Sequence, residues 1–149
     1  MYGSQTCLAH GCGTCQVDLG GACVLEESPN RLVNLTQHRA TKDQLEAGVF
    51  DLPGGQPAQL LTFVGVPERK LLHERAAELA NMAKATGASH AMIGGYLALM
   101  GPLVRALTLR GIIPHFAHSE RVSAEVAGPD GGVTKTLVFR HSGFVRAID

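Results

Sequence analysis

Residues 91–117 read AMIGGYLALMGPLVRALTLRGIIPHFA, and this stretch decides the fold class. It opens on the apolar run 91–93, which is typical of a buried strand and stops at a pair of glycines. A helical pattern follows from about Tyr96 to Arg110, and a second apolar run occupies 112–117. A strand, a helix and a second strand in this order predict a βαβ unit with parallel strands.

The flanking segments extend the same alternation in both directions. Upstream, 32–35 predicts a first strand, 42–47 a short helix and 49–52 a second strand. A longer helix is predicted from Pro67 to Gly87, because one apolar stripe recurs there at helical spacing. That stripe consists of Leu72, Ala76, Leu79, Ala80 and Ala83.

The C-terminal segment has a different pattern. Residues 122–127 and 133–139 flank the turn sequence GPDGG, which is typical of a β-hairpin. The sequence therefore predicts an α/β fold of Rossmann-like type, with a mostly parallel sheet and a C-terminal antiparallel hairpin.

Composition limits the classes of partner. The 149 residues favour one domain, and 13 basic against 13 acidic side chains give a formal net charge of zero. Duplex nucleic acid is therefore not expected as a partner, because its binders carry a basic excess. No apolar stretch reaches the ~18 residues of a membrane span, and no basic start precedes an apolar run. We expect a cytoplasmic protein that does not contact a membrane.

All four cysteines lie in residues 1–30, which we separate as an N-terminal extension from the domain 31–149. Cys7, Cys12, Cys15 and Cys23 follow the spacing C-x4-C-x2-C-x7-C. Its first half matches plant-type [2Fe–2S] ferredoxins. The four thiolates alternatively suit a small zinc site, or the extension is a disordered tail, the natural protein starting near Val33. We expect the main domain to bind its ligand without the extension and without a cofactor.

Polar residues follow three of the predicted strands. They are the segments Thr36-Gln37-His38, Gly94-Gly95-Tyr96 and Ser119-Glu120-Arg121. Because parallel strands end at one edge of a sheet, we expect the three segments to form one cleft.

The chemistry of these segments suits an anionic ligand. Glycine amides at a helix start bind phosphate, and the planar fork of Arg121 does the same. Ser119, Thr36, Gln37 and His38 suit ribose or base contacts, and Lys135 on the hairpin is a weaker candidate. Each segment also has a structural interpretation without a ligand. Thr36-Gln37-His38 would be a solvated loop, Gly94-Gly95 a tight turn, and Ser119-Glu120-Arg121 the site of a surface ion pair.

The chain resembles a known family in its ordered motifs, most of which lie in its second half. Those motifs are Asn34 to His38, Gly94-Gly95, Phe116, Ser119-Glu120-Arg121 and the segment Val138-Phe139-Arg140-His141-Ser142-Gly143-Phe144. The set resembles the small stand-alone CRISPR-associated Rossmann fold (CARF) proteins of type III CRISPR systems, which are thought to be ring nucleases. The resemblance covers roughly Arg31 to Ala147.

The resemblance implies binding of a cyclic oligoadenylate, an RNA-like second messenger of antiviral signalling, and in some members its cleavage. In such a ring nuclease, Arg121 and the Gly94-Gly95 amides would stabilise the phosphate, while Ser119, Thr36 and His38 would orient the attack of a ribose hydroxyl. A ring-shaped ligand and the surplus apolar surface of the helix after Gly95 favour a homodimer. The alternatives are a non-catalytic sensor or sponge, and a metal-binding module built on the cysteines.

Overall fold

Short apolar runs alternate with helix-forming stretches throughout the computed structural model, which describes residues 31–149. The described residues form five strands and four helices. In chain order these are β1 (Leu32–Asn34), α1 (Lys42–Glu46), β2 (Val49–Asp51), α2 (Ala58–Leu61), α3 (Arg69–Ala85), β3 (His90–Ile93), α4 (Leu97–Thr108), β4 (Ile113–Ala127) and β5 (Val133–Arg146). The expectations for Cys7, Cys12, Cys15 and Cys23 fall outside the described residues.

The strands form one sheet in the order β2-β1-β3-β4-β5. Neighbouring strands are parallel from β2 to β4, and β5 is antiparallel to β4. The predicted α/β class, with a mostly parallel sheet and a terminal hairpin, is confirmed. Strand β2 lies on one side of β1, whereas β3, the next strand along the chain, lies on the other side. The direction in which strands are added to the sheet therefore reverses between β1 and β3. In open α/β sheets this reversal point is where ligands bind.

The main core lies between the sheet and the packed pair α3 and α4. All five residues of the predicted stripe on α3, from Leu72 to Ala83, are buried there. On α4 the buried residues are confined to one face, whereas Leu97 is 84% exposed and Leu109 is 76% exposed. The sequence from Tyr96 to Arg110 is apolar nearly all round, which predicts a fully buried helix, and this prediction is wrong.

The opposite face of the sheet has a smaller cluster, in which Leu32, Val49 and Met92 pack with Ala40 and Phe144. Helix α1 contacts both β2 and β5, which are the two edge strands of the sheet. A flat sheet could not bring both edges to one short helix, so the sheet is curled around α1.

Strand β4 is longer than the sequence pattern indicates. We expected one strand to end at Ala117 and another to begin at Val122, but β4 runs without a break from Ile113 to Ala127. It pairs with β5 along its length, with an irregularity between His118 and Ser119. Such a bulge redirects a strand without ending it. Ser119 to Arg121 are consequently strand residues and not a loop.

Among residues 31–149 we find no helix with both the length and the apolar character needed to span a bilayer.

Candidate functional site: a crevice at the strand ends

A crevice of about 460 Å³ opens at the carboxyl ends of β1 and β3, where the strand order reverses. The loop after β1, the glycine turn after β3, the start of α1 and the first part of β4 all line it. The lining residues are Thr36, Gln37, His38, Arg39, Thr41, Gln44, Met92, Ile93, Gly94, Gly95, Phe116 and Ala117. This volume lies in the range of small-molecule sites, which are concave and mix apolar walls with a few polar groups.

Asn34, the last residue of β1, holds the loop that lines the crevice. Its side chain is fully buried, and its Oδ1 accepts hydrogen bonds from the Thr36 amide at 2.9 Å and the Thr36 hydroxyl at 2.8 Å. Its Nδ2 donates to the His38 carbonyl at 2.8 Å and to Asp51 Oδ1 at 2.8 Å. A buried amide with four partners fixes the backbone of the loop in one conformation.

Asp51 and Gln56 complete this network from the next segment of the chain. Asp51 Oδ1 also accepts from the Ala40 amide at 3.0 Å. Gln56 Nε2 donates to the carbonyls of Thr36 at 2.9 Å and His38 at 3.2 Å. Because the carbonyls of the loop are bound from behind, the side chains of Gln37 and His38 remain exposed at the crevice.

The glycine turn brings backbone close to the same loop. Gly95 has φ +129°, which favours glycine, and a Cβ on Gly94 would lie 3.6 Å from Thr36 Cγ2. Helix α4 then starts at Leu97, and its N-cap residue Tyr96 forms no side-chain capping hydrogen bond. Amides at such a helix start attract anions, and the two glycines let a phosphate approach the backbone.

A second, smaller hollow of about 300 Å³ adjoins the crevice and shares Gln37 and Gly95 with it. Tyr96 lines this hollow and stacks on Phe63, with 5.0 Å between the ring centroids. The guanidinium of Arg75 lies over the Phe63 ring, 4.4 Å from its centroid, and helps to hold it in place. The ring of Tyr96 is partly exposed beside the glycine turn, and an exposed aromatic ring can stack on a nucleobase.

Five of the predicted site residues meet in the crevice, namely Thr36, Gln37, His38, Gly94 and Gly95. Tyr96 lies in the adjoining hollow. The structure does not bring Ser119, Arg121 or Lys135 to this crevice. All three lie on the β4–β5 hairpin, where Arg121 covers the ring of Phe139 at 5.1 Å and Lys135 is opposite Glu125.

Sequence reasoning missed two lining residues with clear chemistry. Arg39 is the only lysine or arginine among the described residues that line the crevice, and it directly follows the predicted Thr36–His38 segment. Phe116 presents a partly exposed ring on the opposite wall. Arg39 could have been found by extending the polar segment one residue further.

A histidine pair lies on the curled face of the sheet, outside the crevice. His90 Nδ1 is 2.9 Å from His115 Nε2, and the edge of Phe144 packs on His115. Burial lowers the pKa of His115, and the charges of His90 and Arg146 lower it further. In residues 31–149 no three metal-binding side chains come together, so the pair is not part of a metal cluster there.

We predict that this pair makes the fold less stable in mild acid. Because the folded pKa of His115 is depressed, the unfolded chain binds the extra proton first, and stability falls as the pH drops below the ordinary histidine value of about 6.5. The slope from one group cannot exceed about 1.4 kcal/mol per pH unit. Urea denaturation of wild type and His115→Gln between pH 7.5 and 5 would measure it. An equal slope in both proteins would contradict the assignment, and His73→Gln on exposed α3 is the control.

The fold and the crevice define the protein as a Rossmann-like α/β protein with a small-molecule-sized site at its strand-order reversal. A family model described as Uncharacterized protein MJ1673 family matches residues 30–145, and the chain belongs to that family. No curated protein and no solved structure matches the chain.

Proposed function

We propose that the chain binds a cyclic oligoadenylate in the strand-end crevice and acts in cytoplasmic antiviral signalling. The observation that carries this proposal is the convergence of the loop after β1 and the glycine turn after β3 on one crevice. Those two segments supply a hydroxyl, an imidazole, a guanidinium and the backbone amides of a glycine turn. The CARF-like motifs of the sequence identify the class of ligand.

Each part of the ligand has a partner of suitable chemistry. A phosphate fits between the Gly94-Gly95 amides and Arg39, whose planar fork binds two phosphate oxygens at once. A base fits against Phe116 or Tyr96, whose rings are partly exposed. Gln37 lies between the two hollows, and its Nε2 donates to the Leu61 carbonyl at 3.2 Å and the Thr62 hydroxyl at 3.3 Å, so its Oε1 is the atom that would accept from a base edge or a ribose hydroxyl.

The size of the crevice favours a homodimer. A crevice of about 460 Å³ accommodates one small-molecule-sized group, whereas a cyclic oligoadenylate repeats its nucleotide several times. In a two-fold dimer, a second copy of the chain could supply further surface for the rest of the ring.

We further propose that the bound ring can be opened. The 2′-hydroxyl oxygen bonds to the adjacent phosphorus as the bond from phosphorus to the 5′-oxygen breaks. The 2′-hydroxyl loses one proton and the 5′-oxygen gains one, so the products are a cyclic 2′,3′-phosphate and a 5′-hydroxyl. Arg39 and the glycine amides would stabilise charge on the phosphate oxygens, and Thr36 and His38 would orient the attacking group.

Calorimetry with cyclic tetra-adenylate and cyclic hexa-adenylate tests the proposal directly. We expect a ring to bind, and a linear oligoadenylate of the same length to bind more weakly. Binding of neither ring would overturn the proposed function.

Chromatography of incubated ligand then separates the two roles. A cyclic-phosphate product formed in EDTA indicates a ring nuclease, and an unchanged ligand indicates a sensor or a sponge.

A further inference from the structure

The outer part of the β4–β5 hairpin projects from the body of the protein. We call residues 119–141 the hairpin arm. All side chains from 133 to 140 are exposed, including Leu137 at 66% and Phe139 at 69%. A lone two-stranded ribbon is marginally stable in water, and exposed leucine and phenylalanine side chains make it a surface that binds a partner.

The charges of the arm argue against nucleic acid as that partner. Three acidic side chains, Glu120, Glu125 and Asp130, balance three basic ones, Arg121, Lys135 and Arg140. Proteins that bind nucleic acid through a ribbon need an excess of basic side chains. A surface with equal numbers of acidic and basic side chains can pair with another surface of the same kind. A second copy of the hairpin arm is such a surface.

One edge of the arm is open to a further strand. Pairing between β3 and β4 stops at Ile93 and Phe116, so beyond Phe116 β4 pairs only with β5 in the described residues. The edge from Ala117 to Ala127 therefore presents unpaired backbone groups. Such an edge is a template for another strand.

We propose that two copies of this chain pair antiparallel through this edge of β4, about a two-fold axis at Ser123. In that register Arg121 lies opposite the partner's Glu125, and Glu125 lies opposite the partner's Arg121. Val122 lies opposite the partner's Ala124 on the other face. Opposite charges directly across two strands stabilise their pairing.

The outer edge of β5 lacks this complementarity. Its charged residues are Lys135, Arg140 and Arg146, all basic, so pairing two copies of β5 would bring cations together without acidic partners. The edge of β4 is roughly 35 Å long at ~3.3 Å per residue. The two bodies would therefore lie at opposite ends of a shared four-stranded ribbon and would not collide.

The same register has a consequence for the crevice, which rests on the function proposed above. Ala117, a lining residue, lies opposite the partner's Pro129, so the partner's turn at 128–132 stands at the mouth of the crevice. Each copy would thus help to enclose the ligand of the other. The pairing itself needs no ligand and can be tested without one.

A cysteine at the proposed axis tests the register. In Ser123→Cys the new thiol would lie beside its copy, so mild oxidation of the full chain should link residue 123 to residue 123 in most molecules. Digestion after arginine and lysine would give the peptide 122–135 linked to itself, which mass spectrometry separates from products of the native cysteines. In Ser119→Cys the two thiols lie far apart, and the corresponding self-link should be at least tenfold rarer. Equal self-linking of the two variants would overturn the register.

Light scattering on the full chain without ligand tests the interface. We expect a dimer, and we expect Arg121→Glu to raise its dissociation constant at least tenfold, because the substitution places a carboxylate opposite the partner's Glu125. Lys70→Glu makes the same charge change on α3 and should have no effect. A monomeric parent would overturn the pairing. The pairing would also be wrong if the Arg121→Glu variant stayed dimeric while Leu97→Gln on α4 became monomeric. A dimer that binds no cyclic oligoadenylate would refute the proposed function and leave the pairing intact.

Discussion

Replacing Asn34 with leucine is expected to lower the free energy of unfolding by about 3 kcal/mol. The side chain is fully buried and has four hydrogen-bond partners. Leucine has nearly the same size but leaves the Thr36 amide without its partner and removes one of the two donors to Asp51 Oδ1. A buried charged or polar group without a partner costs about 1–3 kcal/mol, and more than one is affected here.

Urea denaturation followed by circular dichroism would measure this loss. Gln59→Leu is the control, because it replaces an exposed amide on α2 that has no side-chain hydrogen bond within residues 31–149, and it should change stability by less than about 0.5 kcal/mol. If the two variants lost the same stability, the network around Asn34 would not hold the loop. We also expect Asn34→Leu to abolish ligand binding below the unfolding transition, because the crevice loop loses its anchor.

A second variant at this position distinguishes lost hydrogen bonds from altered shape. Asn34→Asp keeps the acceptor toward Thr36 but places a carboxylate where Nδ2 lies 2.8 Å from Asp51 Oδ1. Two adjacent carboxylates raise the pKa of the pair above the value of about 3.9 in the unfolded chain. Protonation therefore favours the folded state, and the stability deficit of Asn34→Asp should shrink as the pH falls from 7 toward 4. Asn34→Leu should show no such recovery.

The parts of the fold that were predictable from sequence are those that local periodicity controls. The stripe from Leu72 to Ala83 repeats at helical spacing, and the same residues are buried on α3. Thr41 precedes the helical run 42–47 and has a side chain typical of helix N-caps, and it caps α1 by accepting a hydrogen bond from the Gln44 amide. The runs at β1 and β3 end in polar or glycine residues, so their loops could be placed at one edge of a parallel sheet.

Features that depend on distant residues were not predictable in this way. The polar segment Ser119-Glu120-Arg121 has no alternation that indicates a strand, and it is extended because it pairs with residues 139–141 of β5. Asn34 belongs to an apolar run in the sequence, and its role depends on Asp51 and Gln56 in later segments. The arginine that reaches the crevice is accordingly Arg39, which is beside a correctly placed loop, and not Arg121.

We expect Arg39→Ala to weaken the binding of a cyclic oligoadenylate by roughly ten- to a hundredfold. Arg39 is the one lysine or arginine among the described residues lining the crevice, and hydrogen bonds from a charged group contribute about 1.5–3 kcal/mol each. Arg39→Lys keeps the charge but loses the planar fork, so its affinity should fall between those of wild type and Arg39→Ala. Calorimetry with the tighter-binding of the tetra- and hexa-adenylate rings would measure all three.

Lys42→Ala is the matched control, because Lys42 is also a cation near the start of α1 but does not line the crevice, and it pairs only with Glu46 on the surface. Its affinity should stay within about twofold of wild type, since a distant exposed charge is screened by salt. Arg121→Ala separates the two possible phosphate partners. A larger loss for Arg121→Ala than for Arg39→Ala, in a variant that remains dimeric, would move the phosphate site from the crevice to the hairpin. A smaller loss favours a phosphate between Arg39 and the glycine turn, where a Cβ on Gly94 would lie 3.6 Å from Thr36 Cγ2 in the loop that Asn34 holds.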